Sequence, residues 1–307
     1  MPEYDIIILG DTCVDLIING ADVVPEFGQV EKLVDNYTLE LGGSCCIFAA
    51  QAAKLGLHVG MLGRVGNDAF GRLVLQRLQE AGADTQHMVV DPALKTGLTI
   101  HLNQPDDRAM LTHLGSLNAL TSADVTDVFL ASARHIHYGS LFLHTGLLPE
   151  WISILQRAKN FGLSVSLDTN WDPDERWDSG LKQAFPLVDI FLPNDEETKR
   201  IAGVDHLIQA ADYLREQVKI LALKHGADGA SVYQATESRE QKVEPAALGG
   251  DGIGAGDSFD AGFVAAWLRG LPVDQCLEVA CFCGRSVAGQ IGGFIGQPHK
   301  ADIALFH

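Results

Sequence analysis

Three scarcities narrow the field before any motif is sought. Cationic side chains are few: 22 Lys and Arg stand against 40 Asp and Glu in 307 residues, a formal net charge of −18. A general nucleic-acid binder must neutralise a phosphate backbone, and this chain has no surplus of cations for it. Long apolar runs are missing too, and none approaches the roughly 18 residues that cross a bilayer. The opening Met1-Pro2-Glu3-Tyr4-Asp5 has no basic stretch of the signal-peptide kind. Cysteine is sparse, at six, and no pair falls at the C-x-x-C spacing of a zinc site. Cys45-Cys46 and the Cys281/Cys283 pair sit among small apolar residues, where a free thiol packs as a small hydrophobe. The expectation is a cytoplasmic chain with no nucleic-acid or membrane partner.

What remains is an ordinary globular balance, 47% hydrophobic and 20% charged, which excludes a disordered chain. Strand and helix patterns alternate. Asp5–Leu9, Val59–Leu62, Ser164–Leu167, Ile190–Leu192 and Ile220–Leu223 read as buried strands. Ser44–Leu55, Ala69–Ala81, Trp151–Phe161, Ala255–Leu268 and Val273–Gln290 read as helices, Ala69–Ala81 by its apolar stripe at Phe70, Leu73, Val74, Leu78 and Ala81. Such alternation predicts a mostly parallel sheet covered on both faces. Two stretches break the rhythm. Residues 11–40 hold short strand-like pieces and no helix. Thr96–Leu102 and Met110–His113 flank the polar turn Gln104-Pro105-Asp106-Asp107 as a hairpin would. The predicted organisation is an α/β core of residues 1–10, 41–95 and 115–307 with a small β lid from 11–40 and 96–114.

The stretch richest in chemistry is Asp251-Gly-Ile-Gly254-Ala255-Gly256-Asp257, followed at once by a helical pattern. Amides of a helix's first turn have no internal partner, glycine lets a phosphate come close, and the helix dipole favours an anion there. Asp257 beside such an anion hole can take the proton of a hydroxyl that attacks a phosphoryl group. It can equally be a carboxylate that only complements the dipole. Asp11 and Asp15 leave the first strand at an end where open α/β sheets bind ligands; Asp11 also suits a plain turn. Asn194 and Glu197, three apart at a helix start, fit a capping box. His135 and His137 share a strand face, but no third ligand has a zinc spacing.

These segments resemble, in order and over nearly the whole chain, the ribokinase-like (PfkB) carbohydrate kinases. Gly254-Ala255-Gly256-Asp257, with Asp251 before it and Asp260-Ala261-Gly262-Phe263 after, resembles the C-terminal signature of that family. Leu41-Gly42-Gly43 with Ala49, Ala53, Leu55 and Gly56 resembles its N-terminal signature, and Gly63 to Gly71 its next segment. Pro193-Asn194-Asp195-Glu196-Glu197 resembles its N-x-x-E motif, and Lys224-His225-Gly226-Ala227-Asp228-Gly229 its nucleotide-side strand and turn. The resemblance implies a three-layer α/β sandwich with a mostly parallel sheet and a small β lid, and transfer of the γ-phosphoryl group of ATP to a small sugar or polyol. It makes Asp257 the base and Gly254, Ala255 and Gly256 the anion hole. It puts Asp11, Asp15, Gly42, Gly43 and Asn170 on the sugar. Asn194, Lys224, Gly226, Gly229, Cys283 and Ser286 fall on the nucleotide, and Asn194 and Glu197 near Mg²⁺ through water. It sets a monovalent cation beside Asp251.

The sequence departs from the family in three places. Ile47 stands where an Asn is usual, Asp172 where some acid-sugar kinases carry Arg, and Gly252-Ile253 where a pair of hydroxyl residues follows the Asp. An Asp at 172 would repel a carboxylate, which argues against an acidic sugar. Ile47 and the missing Arg at 172 keep a nucleoside or vitamin-type alcohol kinase as an alternative. A non-catalytic sugar-binding protein is another, against which the intact Asp257 and glycines argue, since mere binding needs no base. Long-range repulsion of ATP by the net charge is screened over about 8 Å, so local donors and a divalent ion must reverse the sign in the site. A lid sheet with open edges also invites pairing, so a homodimer through the lid is expected.

Overall fold

The computed structural model describes residues 2–104, 107–247 and 249–306. Strands β1 (Ile6–Leu9), β2 (Cys13–Asn19) and β3 (Asn36–Gly42) lead into helix α1 (Ser44–Lys54); β4 (Val59–Leu62) and β5 (Arg64–Gly66) lead into α2 (Ala69–Ala81). Next come β6 (Val89–Asp91), β7 (Gly97–Asn103), β8 (Arg108–His113), α3 (Asp127–Ala131) and β9 (His135–Tyr138). The alternation continues through α4 (Trp151–Asn160), β10 (Ser164–Leu167), α5 (Leu181–Ala184), β11 (Ile190–Phe191), α6 (Asp195–Ala202), α7 (Leu207–Arg215) and β12 (Ile220–Lys224). A hairpin of β13 (Ala230–Gln234) and β14 (Glu237–Gln241) precedes the long helices α8 (Ala255–Leu268) and α9 (Val273–Ala288).

The large sheet has the order β14-β13-β12-β11-β10-β9-β1-β4. Its strands from β4 to β12 run parallel, and the β13–β14 hairpin adds an antiparallel edge. β1 shows why a continuous apolar run marks a central strand. Ile6 and Ile8 point to a core shared with α1, α2, α8 and α9, whereas Ile7 and Leu9 point to a second core shared with α3, α4, α5 and α7. Two helical layers thus sandwich the sheet, and each fully buried Ile contributes about 1.5–3 kcal/mol. Local signals set the boundaries. Asp68 caps α2 by accepting from the Gly71 N–H at 2.8 Å, and Gly82 ends it in the left-handed conformation, φ 94°.

The chain order switches beside β1, which lies between β4 and β9. Loops leaving the carboxyl ends of β1, β9, β10, β11 and β12 therefore open into one crevice, the usual ligand position in such sheets. A second sheet, β3-β2-β7-β8, stands apart from the first. Residues Pro105 and Asp106 of the expected polar turn lie outside the described residues. Register places Asp15, Ile17, His101 and Asn103 on one face of this sheet, all buried, and Leu16, Ile18, Ile100 and Leu102 on the other, only half-buried. That second face continues into Tyr37, 69% exposed, and Leu111, 60% exposed. Among the described residues, no helix is long and apolar enough to cross a membrane.

Candidate active site

The first turn of α8 is built around Gly254. Its φ is 73°, and a Cβ there would lie 2.5 Å from the Gly293 Cα, so only glycine makes this turn. Ala255 turns its N–H back to the Gly252 carbonyl at 3.3 Å, while the Ser258 N–H starts the helical ladder on Gly254. The amides of Gly256 and Asp257 thus face the crevice without a helical partner, at the positive end of a 14-residue helix. Two amides are left for an anion at this turn, with Gly254 shaping it and Ala255 turning its own amide away.

Asp257 is half-buried beside that turn. Burial first, then the negative charge of Asp168, pushes its carboxyl up to about 7, against the pull of Lys224 and a hydrogen bond from Ser44. A carboxylate with a pKa near neutrality is suited to accept a proton at working pH.

Lys224 ends β12 under the same turn. Its Nζ lies 3.0 Å from Asp168 Oδ1 and 3.0 Å from each Asp260 oxygen, and 3.8 Å from where a Gly256 Cβ would be. Burial favours the neutral amine, but Asp168 and Asp260 hold the ammonium charged well above its ordinary range. Lys224, expected on the nucleotide side, is held by two carboxylates beneath the α8 turn.

Asn194 and Glu197 form a complete capping box. Glu197 N–H donates to Asn194 Oδ1 at 2.9 Å, and Asn194 N–H and Nδ2 donate to the Glu197 carboxylate at 2.9 and 2.7 Å. Glu197 is also buried, and burial with the Asp168 charge raises its pKa to about 7. A helix cap needs no such burial, so the second reading stays alive. Each carboxylate oxygen keeps a free lone pair. This donor set fits a hard cation held through water better than one held directly.

On the opposite wall, Asp11 accepts from the Ser44 and Cys45 amides at 3.0 and 2.7 Å and from the Ser140 hydroxyl at 3.0 Å. It seats the start of α1, whose N-cap is Gly43 with φ 83° and no side chain to do so. Asn170 donates to Ser44 Oγ at 2.6 Å and Ser140 Oγ at 2.8 Å. Both Ser140 and Asn170 hold positive φ, the kind of strain that collects at functional sites. A polar chain thus runs Asp11–Ser140–Asn170–Ser44. Asp11, Cys45 and His144 come within 4.8 Å of one another, but the Asp11 oxygens and the Cys45 thiol, on the Leu9 carbonyl at 3.2 Å, are already bonded.

Asp15 lies deeper, with Gly42 under it: a Gly42 Cβ would strike Asp15 Oδ1 at 2.3 Å. Ile47 is buried against Gly254 and Gly293 and packs the floor of the turn. Asp172 accepts three amides of its own loop, from Asp174, Arg176 and Trp177, at 2.9, 2.8 and 2.7 Å. It is spent there rather than repelling a ligand, so the case against an acidic sugar rests on the missing Arg alone. Asp251 binds the Ile253 and Gly292 amides at 3.0 and 3.1 Å, tying two loops together. Arg64 is occupied by Asp91 and Asp124.

On the far side of the crevice, Gly226 and Gly229 shape the β12–β13 turn. A Cβ at Gly229 would meet the Gln241 carbonyl at 2.0 Å. Ser286 is half-buried with its hydroxyl on the Phe282 carbonyl at 2.8 Å. The expectation for Cys283 fails: the side chain is fully buried against Gly262 between α8 and α9 and has no surface to offer a nucleotide. His137 is likewise core. It stacks on Phe48 at 3.6 Å, and burial keeps it neutral. Sequence reasoning passed over Asp168 and Asp260 as charges, and Ser140 and His101 altogether. Asp260, a carboxylate inside an otherwise apolar helix turn, was the signal available, since such a charge needs a partner.

The profile described as pfkB family carbohydrate kinase matches residues 4–300. An ATP-dependent ribose-1-phosphate kinase of Halopiger xanaduensis is 31% identical over 86% of this chain and 86% of its own length. A 5-dehydro-2-deoxygluconokinase of Geobacillus thermodenitrificans is 26% identical over 89% of this chain and 84% of its own. The fold matches, at TM-score 0.86 and 23% identity, a putative ribokinase II of E. coli solved with ATP and Mg²⁺, covering 99% of this chain and 98% of that one. With a family match over nearly its full length and the α/β architecture of ribokinase-like enzymes, the chain belongs to the pfkB family of carbohydrate kinases.

Proposed function

We propose that the chain transfers the γ-phosphoryl group of ATP to a hydroxyl of a small sugar or polyol. The observation that carries this is the pairing of free Gly256 and Asp257 amides with an Asp257 carboxyl whose pKa is near 7, at the mouth of one crevice. The acceptor lies between Asp11, Asn170 and Asp15, with Gly42 and Gly43 letting it approach the backbone. Asp257 takes the hydroxyl proton as the oxygen attacks phosphorus, a step worth about 10²–10⁴-fold. The α8 amides stabilise the charge on the transferring group, and Lys224 sits beneath them as a fixed cation. Asn194 and Glu197 would hold the Mg²⁺ of the nucleotide through water, where it would offset phosphate charge. Gly226, Gly229 and Ser286 border the nucleotide. The small sheet acts as the lid, excluding water from the transfer.

The acceptor named for the Halopiger relative, ribose 1-phosphate, heads the panel to be tried. ADP production is measured with ribose 1-phosphate, pentoses, ketohexoses, deoxyhexonates and nucleosides, each with Mg²⁺-ATP. The reading expects acceptor-dependent ADP release with at least one of them; release equal with and without every acceptor would overturn it. The half-exposed apolar face of the lid also supports a homodimer through that sheet. Leu111→Asp is then expected to halve the mass seen by light scattering, and an unchanged mass would remove the lid from the interface.

A further inference from the structure

One buried polar group on the lid has no task in that reading. His101 is 6% exposed, and among the described residues neither ring nitrogen has a hydrogen-bond partner. Its Nε2 stands 3.3 Å from Asp15 Oδ1, out of line for a hydrogen bond between them. Leaving a buried donor or acceptor unmade costs about 1–3 kcal/mol. Such a group asks for a partner that the chain itself does not supply.

Its position says where that partner comes from. In the β2–β7 register His101 sits opposite Ile17, one step along the same face from the Asp15–Thr99 pair. Ile17 comes within 3.3 Å of where a Gly292 Cβ would be, and the Gly292 N–H binds Asp251. The His101 face therefore packs beside the loop that follows α9, which Asp251 ties to the loop leading into α8. Farther along the same face Asn103 donates to Asn19 at 3.2 Å, leaving Asn103 Oδ1 and Asn19 Nδ2 buried and unpaired. Both Asn residues line a cleft of 720 Å³ shared with Arg108 and Asp251.

We propose that His101 is a specificity-determining residue for the phosphoryl acceptor, binding with Asp15 to adjacent hydroxyls of the acceptor remote from the one that is phosphorylated. This rests on the kinase reading above. A carboxylate only accepts, whereas an imidazole also donates, through at least one ring nitrogen. Two neighbouring hydroxyls donate one proton to Asp15 and satisfy His101 with the rest; a single hydroxyl leaves one of the buried groups unpaired. A site built this way rejects an analogue that lacks one hydroxyl more strongly than an apolar pocket rejects a missing methylene.

The test uses the full chain with Mg²⁺-ATP and each acceptor that the parent phosphorylates, together with the deoxy analogues of that acceptor. His101→Leu is expected to raise acceptor KM at least ten-fold with ATP KM within two-fold, and to erase most of the parent's discrimination against one deoxy analogue. His101→Gln, which keeps a donor and an acceptor, is expected to recover part of both effects; it also carries the test if the Leu variant does not fold. Acceptor KM and deoxy discrimination unchanged in a folded variant would overturn the proposal while leaving the kinase reading intact. A parent that shows no acceptor-dependent ADP release fails at the reading beneath, and this proposal falls with it.

Discussion

The two walls of the crevice are finished to different degrees. At the carboxyl edge of the large sheet, Lys224 is bound by Asp168 and Asp260, and Glu197 by Asn194, both before any ligand arrives. On the small sheet, His101, Asn103 and Asn19 carry buried polar atoms that find no partner among the described residues. Phosphoryl transfer needs dipoles fixed in advance, because their orientation then costs nothing when charge develops. Acceptor recognition is different: the missing partners are the substrate's own hydroxyls, and selectivity comes from leaving room for them. In the proposed reading, the Lys224 and Glu197 groups serve the phosphate already bonded, and the small sheet leaves polar atoms for the acceptor.

Breaking the finished wall should have the largest effects. Lys224→Met leaves Asp168 and Asp260 buried without their cation. A loss of about 3–5 kcal/mol is expected for one partner of such a buried pair, read from urea unfolding, with Lys224→Arg losing less. Equal stability of parent and Met variant would show that the three groups are not interdependent. Next comes Glu197→Gln, which preserves the shape of the capping box but removes its charge. If Glu197 orders the water shell of Mg²⁺, kcat or Mg²⁺ affinity falls about 10–100-fold. If it only caps α6, Mg²⁺ titrations of parent and variant will coincide.

How much of this was legible in the chain follows from the range of the forces involved. α2 reads correctly to the residue because Asp68 and Gly82 are local caps, and β1 because four apolar residues in a row suit only a strand buried on both faces. The Gly254–Asp257 turn is legible for the same reason, since a glycine-rich helix start is one contiguous signal. The Lys224 cluster is not: its carboxylates lie 56 and 36 residues away and meet only through the sheet order. His101 is visible as part of an alternating strand, but which face of that strand looks inward depends on how the lid docks. The β13–β14 edge escaped because Glu237–Gln241 is polar and exposed, with no periodic apolar face to mark it.

The smallest effect concerns Asp251. Its carboxylate already binds two backbone amides, and Gly252-Ile253 offer no hydroxyl beside it. Replacing potassium by choline at constant ionic strength is expected to change kcat by less than two-fold; a larger drop would place a working monovalent cation at that loop.

The central claim is that Asp257 is kept poised as a base at a cost to the fold. With its pKa raised to about 7, the folded state holds a proton that the unfolded chain releases near pH 4. Stability at this site is therefore full at acid pH and declines as pH rises through that window. Parent and Asp257→Asn measured side by side at pH 8, for turnover and for thermal melting, test this directly. The account predicts turnover lower by about 10²–10⁴-fold together with a higher melting temperature, since the variant has no desolvated charge to bear. Turnover within a few-fold of the parent, or a lower melting temperature, would contradict it.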